Sequence, residues 1–541
     1  MSLSNQRRRK GALRPQDGRS RQRRLWAADF AHCRRAILRG ERPAPFLGRG
    51  PGPVRVAVVY PGPYSEGMAS LALHVLMELF NAPPCEAERV FFFPAFTKPV
   101  RTLETGAALA DAHVLAATLQ FELQYPTLVR MLADSGIPPV ARDRRAEHPV
   151  VVCGGPAVSA NPAPLAAIAD LVFVGELEAR IGDIRGALRR AAAPSVSRDR
   201  LIAELSQVPG FISCAAWLAG SAEQICLQHV ADTSAYVPRS VIVSAAAELS
   251  GRALVEVSRG CPHACKFCLA RQLYLPYRPR QIAAVERALD ELAGTATSVG
   301  YLSLSFSGHP CAEELVGAAL DRGLGVSVSS LRADNLAANP ALLRGLHLAG
   351  QQTITLAPEA ATEALRLSLA KPLSTDVFLS AAEAIADAGF RHLKLYFMVG
   401  LPGEEDSDAG AVGELVAALR TVAPALAIAV SIAPFVPKAH TPFEHALFGP
   451  VRLVERRLRL ARAAASRAGA EVDVDSPRLA WCQAILSRGG FELGRILTDA
   501  RVLNEGAAAL PVAMLDAGLD PDAYACHGSP DRPWRLISCR V

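Results

Sequence analysis

The chain has 541 residues, half of them apolar, a formal net charge of +6 and twelve cysteines. Its length implies three or four structural units at roughly 150 residues each, and cysteines this sparse exclude a disulfide scaffold. No run of about 18 apolar residues occurs, so no membrane-spanning helix is expected. Residues 1–50 carry the basic arm Arg7-Arg-Arg-Lys10 and a second arginine cluster between Arg19 and Arg24. No apolar core of a signal peptide follows, which predicts a protein of the reducing cytoplasm. The arm reads first as a disordered, solvated tail, and weak RNA contact is the alternative.

Residues 51–195 predict an α/β unit. Short apolar strands fall at 54–60, 89–93, 113–119, 149–153 and 171–174, with helical stretches between them. This alternation predicts a doubly wound, Rossmann-like (flavodoxin-like) parallel sheet. Ligands of such sheets sit beyond the carboxyl ends of the strands. Here those ends carry Gly62, Gln120, Gly154, Gly155, Gly175 and Glu176. Residues 196–250, with turns at Val208-Pro-Gly210 and Val237-Pro-Arg239, read as a linker hairpin.

The chemistry is concentrated in Cys261-Pro-His-Ala-Cys265-Lys-Phe-Cys268. Three thiolates spaced C-x3-C-x2-C can wrap one face of an iron–sulfur cube. A [4Fe–4S] cube held by three protein ligands keeps one iron open, free to hold a chelating substrate. Zinc is the alternative metal, but it usually takes four ligands in paired sets, and His263 is awkwardly placed to be the fourth. Around this loop, residues 251–445 repeat strand and helix six times, with strands at 254–257, 301–306, 325–329, 353–356, 392–399 and 428–432. Six β/α repeats predict a partial barrel with its chemistry at the carboxyl ends of the strands. Residues 446–541 predict a mainly helical extension, with Pro533-Trp534 packing back on the barrel.

The stretch Glu256-Val-Ser-Arg-Gly-Cys-Pro-His-Ala-Cys-Lys-Phe-Cys268 resembles the cluster loop of radical S-adenosylmethionine (SAM) enzymes. With Ser330-Leu-Arg-Ala-Asp-Asn335, Ala357-Pro-Glu-Ala360, Lys394-Leu-Tyr-Phe-Met-Val-Gly-Leu-Pro402 and Pro434-Phe-Val-Pro437, it resembles a subgroup that carries an N-terminal cobalamin-binding domain. The resemblance implies that Cys261, Cys265 and Cys268 hold a [4Fe–4S] cluster whose open iron binds SAM. An electron from the cluster, supplied by a donor such as flavodoxin or ferredoxin, then cleaves SAM to a 5′-deoxyadenosyl radical. It further implies SAM contacts from Phe267, Ser307, Gly308, Ser330, Arg332, Glu359, Lys394, Tyr396, Val399 and Gly400. Arg332 would pair with the SAM carboxylate and Glu359 with a ribose hydroxyl. The backbone at Val399-Gly400 would stack on adenine.

In the N-terminal unit, the small residues at the strand ends would admit the nucleotide tail of cobalamin. The loop at 61–67 has no histidine, so the D-x-H-x-x-G motif supplies no cobalt ligand; Asp111-Ala-His113 lies elsewhere and lacks the glycine. A cobalamin-dependent C-methyltransferase is one outcome. A radical SAM enzyme without cobalamin is another, and an RNA-associated protein with a structural cluster a third. The substrate is not legible.

Overall fold

The computed structural model describes residues 29–48, 52–96 and 98–539. The arginine clusters of the basic arm lie outside the described residues. Six strands form the first sheet: β1 (Val54–Tyr60), β2 (Cys85–Phe91), β3 (Val114–Thr118), β4 (Val150–Gly154), β5 (Leu171–Phe173) and β6 (Phe211–Ser213). Their order is β2-β1-β3-β4-β5-β6. All neighbours are parallel except β5 and β6. The first five follow the doubly wound order 2-1-3-4-5. Strand β2 begins four residues earlier than its apolar run because it is an edge strand: buried Cys85 and Ala87 alternate with Glu86 and Glu88.

Residues 196–250 are not one hairpin. Helix Arg198–Ser206 packs beside helix Ile181–Ala192, and Phe211–Ser213 completes the first sheet as β6. Ile225–Cys226 pairs with Ile537–Ser538, and Ile242–Ser244 pairs with Glu41–Pro43. The apolar pieces are too short to pair with one another across their polar connections, so each finds a partner elsewhere in the chain.

A second array holds β7 (Arg252–Glu256), β8 (Ser298–Leu302), β9 (Gly325–Val328), β10 (Thr353–Glu359), β11 (His392–Val399), β12 (Ala427–Pro434) and β13 (Glu471–Val474). They lie in chain order and every pair is parallel. The run is split after β9, where a short continuation, Ser330–Leu331, joins β10 instead. Helices separate the strands, as the sequence pattern predicts. The seventh strand, β13, falls within the stretch expected to be helical. Glu471-Val-Asp-Val474 is only four residues long, and its alternation is too brief to stand out beside the long helix Val451–Arg467. Strand β8 ends before Leu304, and Phe306–Gly308 forms a separate 3₁₀ turn.

Sidedness in this array is sharp. Ile354 and Leu356 of β10, Leu393, Leu395, Phe397 and Val399 of β11, and Ile428, Val430 and Ile432 of β12 are buried. The alternate residues are half-buried or exposed. A strand turns successive side chains to opposite faces, so one face carries the core and the other stays open. The C-terminal helices Pro477–Ser487 and Pro521–His527 pack together, and buried Arg488 ties them to the chain before it through the carbonyls of Glu444, Ala446 and Ala525. Trp534 is buried against Gly528. Among the described residues, no single helix is long and apolar enough to cross a membrane.

The two arrays meet where the chain leaves β5. Residues 174–176 take up residues 225–228 as a further strand-like partner, through Gln228 N–H to Val174 carbonyl (3.2 Å) and Glu176 N–H to Gln228 carbonyl (2.8 Å). Gly175 sits here at φ +102°, and a Cβ on it would lie 2.3 Å from the Gln228 nitrogen. Gly175→Ala is therefore expected to destabilise the fold by about 2–3 kcal/mol, from overpacking plus an unfavourable φ. The expected result is a lower urea midpoint with an unchanged slope.

Candidate active site

The cysteine loop is closed at its base by backbone. Ser258–Arg259 pairs antiparallel with Arg278–Pro279. Gly260, at φ +78°, passes so close to this segment that a Cβ would stand 2.4 Å from the Tyr274 carbonyl. Cys268 then takes the N-cap position of helix Leu269–Leu273, where the backbone amides of Arg271 and Ala270 act to lower its pKa. Arg271 Nε reaches back to the His263 carbonyl at 2.7 Å, and Lys266 N–H bonds the Leu369 carbonyl at 3.0 Å.

Cys261, Cys265 and Cys268 are all half-buried. They lie near enough that ionisation of one opposes that of another. Burial pushes Cys265 and Cys268 upward; Lys371 and Arg332 oppose this at Cys265, and the two amides oppose it at Cys268. The donor set is thus three soft sulfurs on one loop, which suits an iron–sulfur cube. Among the described residues, no three His, Cys, Asp or Glu groups converge on the single point a lone ion needs. A cube instead takes its ligands at separate corners. His263 faces Ser305, with Nε2 3.4 Å from its Oγ.

The strand-end residues gather around this loop, several with their groups already engaged. Ser307 Oγ accepts the Arg332 N–H at 3.1 Å, and a Cβ on the adjacent Gly308 would meet Ser305 Oγ at 2.9 Å. Ser330 pairs with Thr355 in register. Arg332 donates from Nε and Nη2 to Asp334 at 3.0 and 2.7 Å, so one edge of its guanidinium is committed. Glu359 adopts φ +68°, a strained value for a residue with a side chain. Its carboxylate bonds Lys371 Nζ at 3.0 Å. Arg332 and Glu359, expected to meet the SAM carboxylate and a ribose hydroxyl, are thus engaged by Asp334 and Lys371 in this structure.

Phe267 packs with Leu369, Met398, Leu401 and Phe435 in a small apolar cluster that brings the cysteine loop over the ends of β11 and β12. Val399 is 1% exposed, with its side chain on the helix-covered face, and its carbonyl accepts the Phe435 N–H at 2.8 Å. Gly400, at φ +83°, donates its N–H to Glu404. Arg457 holds that carboxylate at 3.0 Å. Lys394 and Tyr396 share the open face of β11, as the alternation predicts, with Lys394 Nζ 5.0 Å from the Tyr396 ring centre.

A cavity of about 540 Å³ lies between the two arrays, within the range of roughly 300–1,000 Å³ usual for small-molecule sites. One wall is the carboxyl end of the first sheet, including Ala116, Thr118, Val152 and Phe173, with the start of helix Leu71–Phe80. The opposite wall is Glu256, Ser258, Arg259 and Gly260 at the base of the cysteine loop, with Ser303 and Leu304.

Of the six residues proposed for this side, Gln120, Gly154, Gly155, Gly175 and Glu176 line the cavity. Gly62 does not; it lies against the Tyr60 ring. Gly155 and Gly175 are glycines for a different reason from the one expected. The Cβ positions of both run into the chain's own backbone, at Leu119 and Gln228. Only Gly154 faces room, with its nearest neighbour at 3.6 Å.

Glu176 is 4% exposed and fully engaged. It meets Arg278 at 2.5 Å, Arg259 at 3.0 Å and the Val230 N–H at 2.7 Å. Burial raises its carboxyl, but His229, Arg278, Arg259 and that N–H together hold it well below the usual range. Arg259 also bonds Glu178 at 2.7 Å and Glu256 at 3.0 Å. Among the described residues, none that lines the cavity is His, Cys or Met.

Comparison with known families agrees with the cysteine loop. A profile described as the radical SAM superfamily matches residues 255–416, and one described as radical SAM proteins, N-terminal, matches residues 73–212. The chain belongs to the radical SAM superfamily. An uncharacterised protein of Methanocaldococcus jannaschii, MJ0966, is 28% identical over 447 residues, covering 82% of this chain and 90% of its own. Among solved structures, the cobalamin-dependent S-adenosylmethionine radical enzyme OxsB, with aqua-cobalamin and S-adenosylmethionine bound, aligns at TM-score 0.44 and 14% identity. That alignment covers 76% of this chain and 56% of OxsB. SuiB of Streptococcus suis, bound to S-adenosylmethionine, aligns at TM-score 0.31 and 14% identity, covering 41% of this chain and 50% of SuiB.

Membership of the radical SAM superfamily implies an iron–sulfur cluster and SAM. Three features of this site were missed in the sequence. Lys371 stands in Leu369-Ala-Lys-Pro372 with no motif to mark it. The Arg259–Glu176 interlock joins residues 83 positions apart (259 − 176), and no local pattern records such a pair. Glu404 was visible only as the residue after Gly400-Leu-Pro-Gly403.

Burial pushes Glu404 up to about 7, against the Gly400 and Leu401 amides and Arg457. The fold therefore favours the protonated form. Its stabilising contribution is complete below the ordinary carboxylate range and is lost as pH rises through about 7. Urea unfolding is expected to show stability falling as pH rises from the ordinary carboxylate range to about 7 and levelling off above it, with the slope flattened in Glu404→Gln.

Proposed function

We propose that this protein cleaves SAM reductively at the Cys261/Cys265/Cys268 loop and uses cobalamin, seated in the cavity beside that loop, to methylate an unactivated carbon. The observation that carries the reading is the position of the cavity. Its far wall is Ser258-Arg-Gly260, immediately before the first cluster cysteine, and its near wall is the set of strand ends where doubly wound sheets hold ligands.

The cluster, when bound, supplies the electron that breaks a carbon–sulfur bond of SAM, and a flavodoxin or ferredoxin supplies that electron in turn. The chain's own residues do the placing. The amides at residues 270 and 271 and the cation of Lys371 favour thiolate over thiol. The Phe267 cluster shields the loop from water on the β11–β12 side. The strand ends at 305–308, 330–332 and 359 form the rim where SAM would lie, with the remaining edge of Arg332 toward a carboxylate.

On the cavity side, Ala69, Ala72, Ala116 and Gly154 contribute small apolar lining, and Thr118, Gln120 and Ser159 contribute polar groups. Such a lining fits a broad cofactor with amide groups around its margin. Among the described residues the lining offers no His, Cys or Met, so the residues that would hold cobalamin here would do so by packing and polar contacts.

A radical SAM reaction without cobalamin is the second reading. It is favoured by Gly155 and Gly175, which serve backbone packing and do not admit a ligand.

Alanine at any one of the three cysteines is expected to abolish iron retention after anaerobic reconstitution and, with it, release of 5′-deoxyadenosine. Lys371→Met is expected to keep the fold and lower SAM cleavage by about 10- to 100-fold, as the loss of a group that supports a metal site does. Titrating the reconstituted protein with hydroxocobalamin and following its visible spectrum tests the cavity. A wild-type spectral shift lost in Ala72→Trp supports cobalamin. No shift in the wild type favours the second reading.

A further inference from the structure

The inner face of the β10–β13 sheet is built for a ligand and not for packing. The buried alternates of these strands face the helices, so Thr355, Lys394, Tyr396, Ala429 and Ser431 face the other way. In a filled barrel this inner face would be apolar core. Here it is polar, and Tyr396 is 38% exposed.

Parallel register sets the residues in rows. Thr355, Lys394, Ala429 and Glu471 form one row, and Tyr396, Ser431 and Asp473 the next. Lys394 extends along its strand to bring Nζ to the Tyr396 ring. Among the described residues, no carboxylate lies within ion-pair distance of that ammonium, and the Tyr396 hydroxyl has no hydrogen-bond partner. On the far side stand Glu471 and Asp473 of β13, followed by Asp475. Asp475 lies close enough to Lys394 to feel its charge: burial and Asp473 raise the Asp475 carboxyl, and Lys394 lowers it. The floor between the two sides is Ala429 and Ser431, small enough to leave room above them. Strands β11 and β13 are two strand spacings apart, roughly 10 Å.

A cation with a phenol on one side and carboxylates on the other, across a floor of small residues, is complementary to a dipolar molecule. We propose that this cleft binds the substrate, and that the substrate is a zwitterion with its charges several bonds apart. Its anionic group is held by Lys394 and Tyr396 and its ammonium by Asp473 and Asp475. This rests on the radical SAM reading, and it moves Lys394 and Tyr396 from SAM to the substrate.

The test uses three matched probes on the full chain, both as purified and after cluster reconstitution: 6-aminohexanoate, hexanoate and hexylamine, followed by saturation-transfer NMR and calorimetry. The zwitterion is expected to bind at least about tenfold more tightly than either singly charged probe, the margin of one charge-assisted contact. Lys394→Gln is expected to erase its advantage over hexylamine, and Asp473→Asn with Asp475→Asn its advantage over hexanoate. All four side chains reach the open face, so these variants are expected to keep the wild-type unfolding midpoint. Equal binding of the three probes, or variants that retain the wild-type preference, would overturn the proposal. The binding needs neither iron nor SAM, so failure here leaves the cluster assignment standing. Failure of the cysteine variants to lose iron would remove that assignment without altering the probe result.

Discussion

The arginine at position 259 holds the two halves of this molecule in register. It lies between three carboxylates, Glu176 and Glu178 from the first sheet and Glu256 from its own strand, and two residues later the chain reaches the first cluster cysteine. These charges are largely removed from water. Burying one alone costs several kcal/mol, and breaking a buried pair by removing one member costs about 3–5 kcal/mol. The carboxylates and guanidiniums are therefore stable only in one another's company, and that company exists only when the sheet end and the loop base are in place together. Arg278 and Arg280 extend the lattice to the segment that closes the loop. The distance between the cavity and the cysteines is consequently set by ion pairs and not by the looser contact of apolar surfaces.

The second constraint is the unequal treatment of the two faces of the β10–β13 sheet. Helices cover one face with Leu, Ile, Val and Phe, and this face carries the stability. The other is relieved of packing duty and populated by Thr, Ser, Lys and Tyr. Local strain appears on this side of the structure, at Glu359, where the chain turns into a left-handed conformation to meet Lys371. Residues held this way cost of order 1–3 kcal/mol and persist where surrounding contacts fix them. Here the contacts are a salt bridge beside Cys265 and the tie from Lys266 to the carbonyl of Leu369.

Most of the scaffold was legible from pattern. Long apolar runs such as Val54–Tyr60 and the alternation of strand and helix declared both parallel arrays, because periodic burial is written into neighbouring residues. The cysteine spacing declared its chemistry for the same reason. What escaped was non-local. Phe211–Ser213, Ile225–Cys226 and Ile242–Ser244 resemble one another in sequence, yet each pairs with a different part of the chain. Arg332 and Glu359 read as free ligand contacts because their partners, Asp334 and Lys371, had no visible claim on them. Gly155 and Gly175 were correctly marked as special, but the crowding they relieve comes from the chain itself.

The pairing of Ile225–Cys226 with Ile537–Ser538 has a consequence for biosynthesis. Residues 225–228 flank one wall of the cavity through Gly175, yet their outer neighbour is translated about three hundred residues later. At roughly 5–20 residues per second, the ribosome takes on the order of 15–60 seconds to deliver it. Throughout that interval residues 225–226 lack their parallel neighbour, so the edge they form beside Gly175 is completed only once the tail has been made.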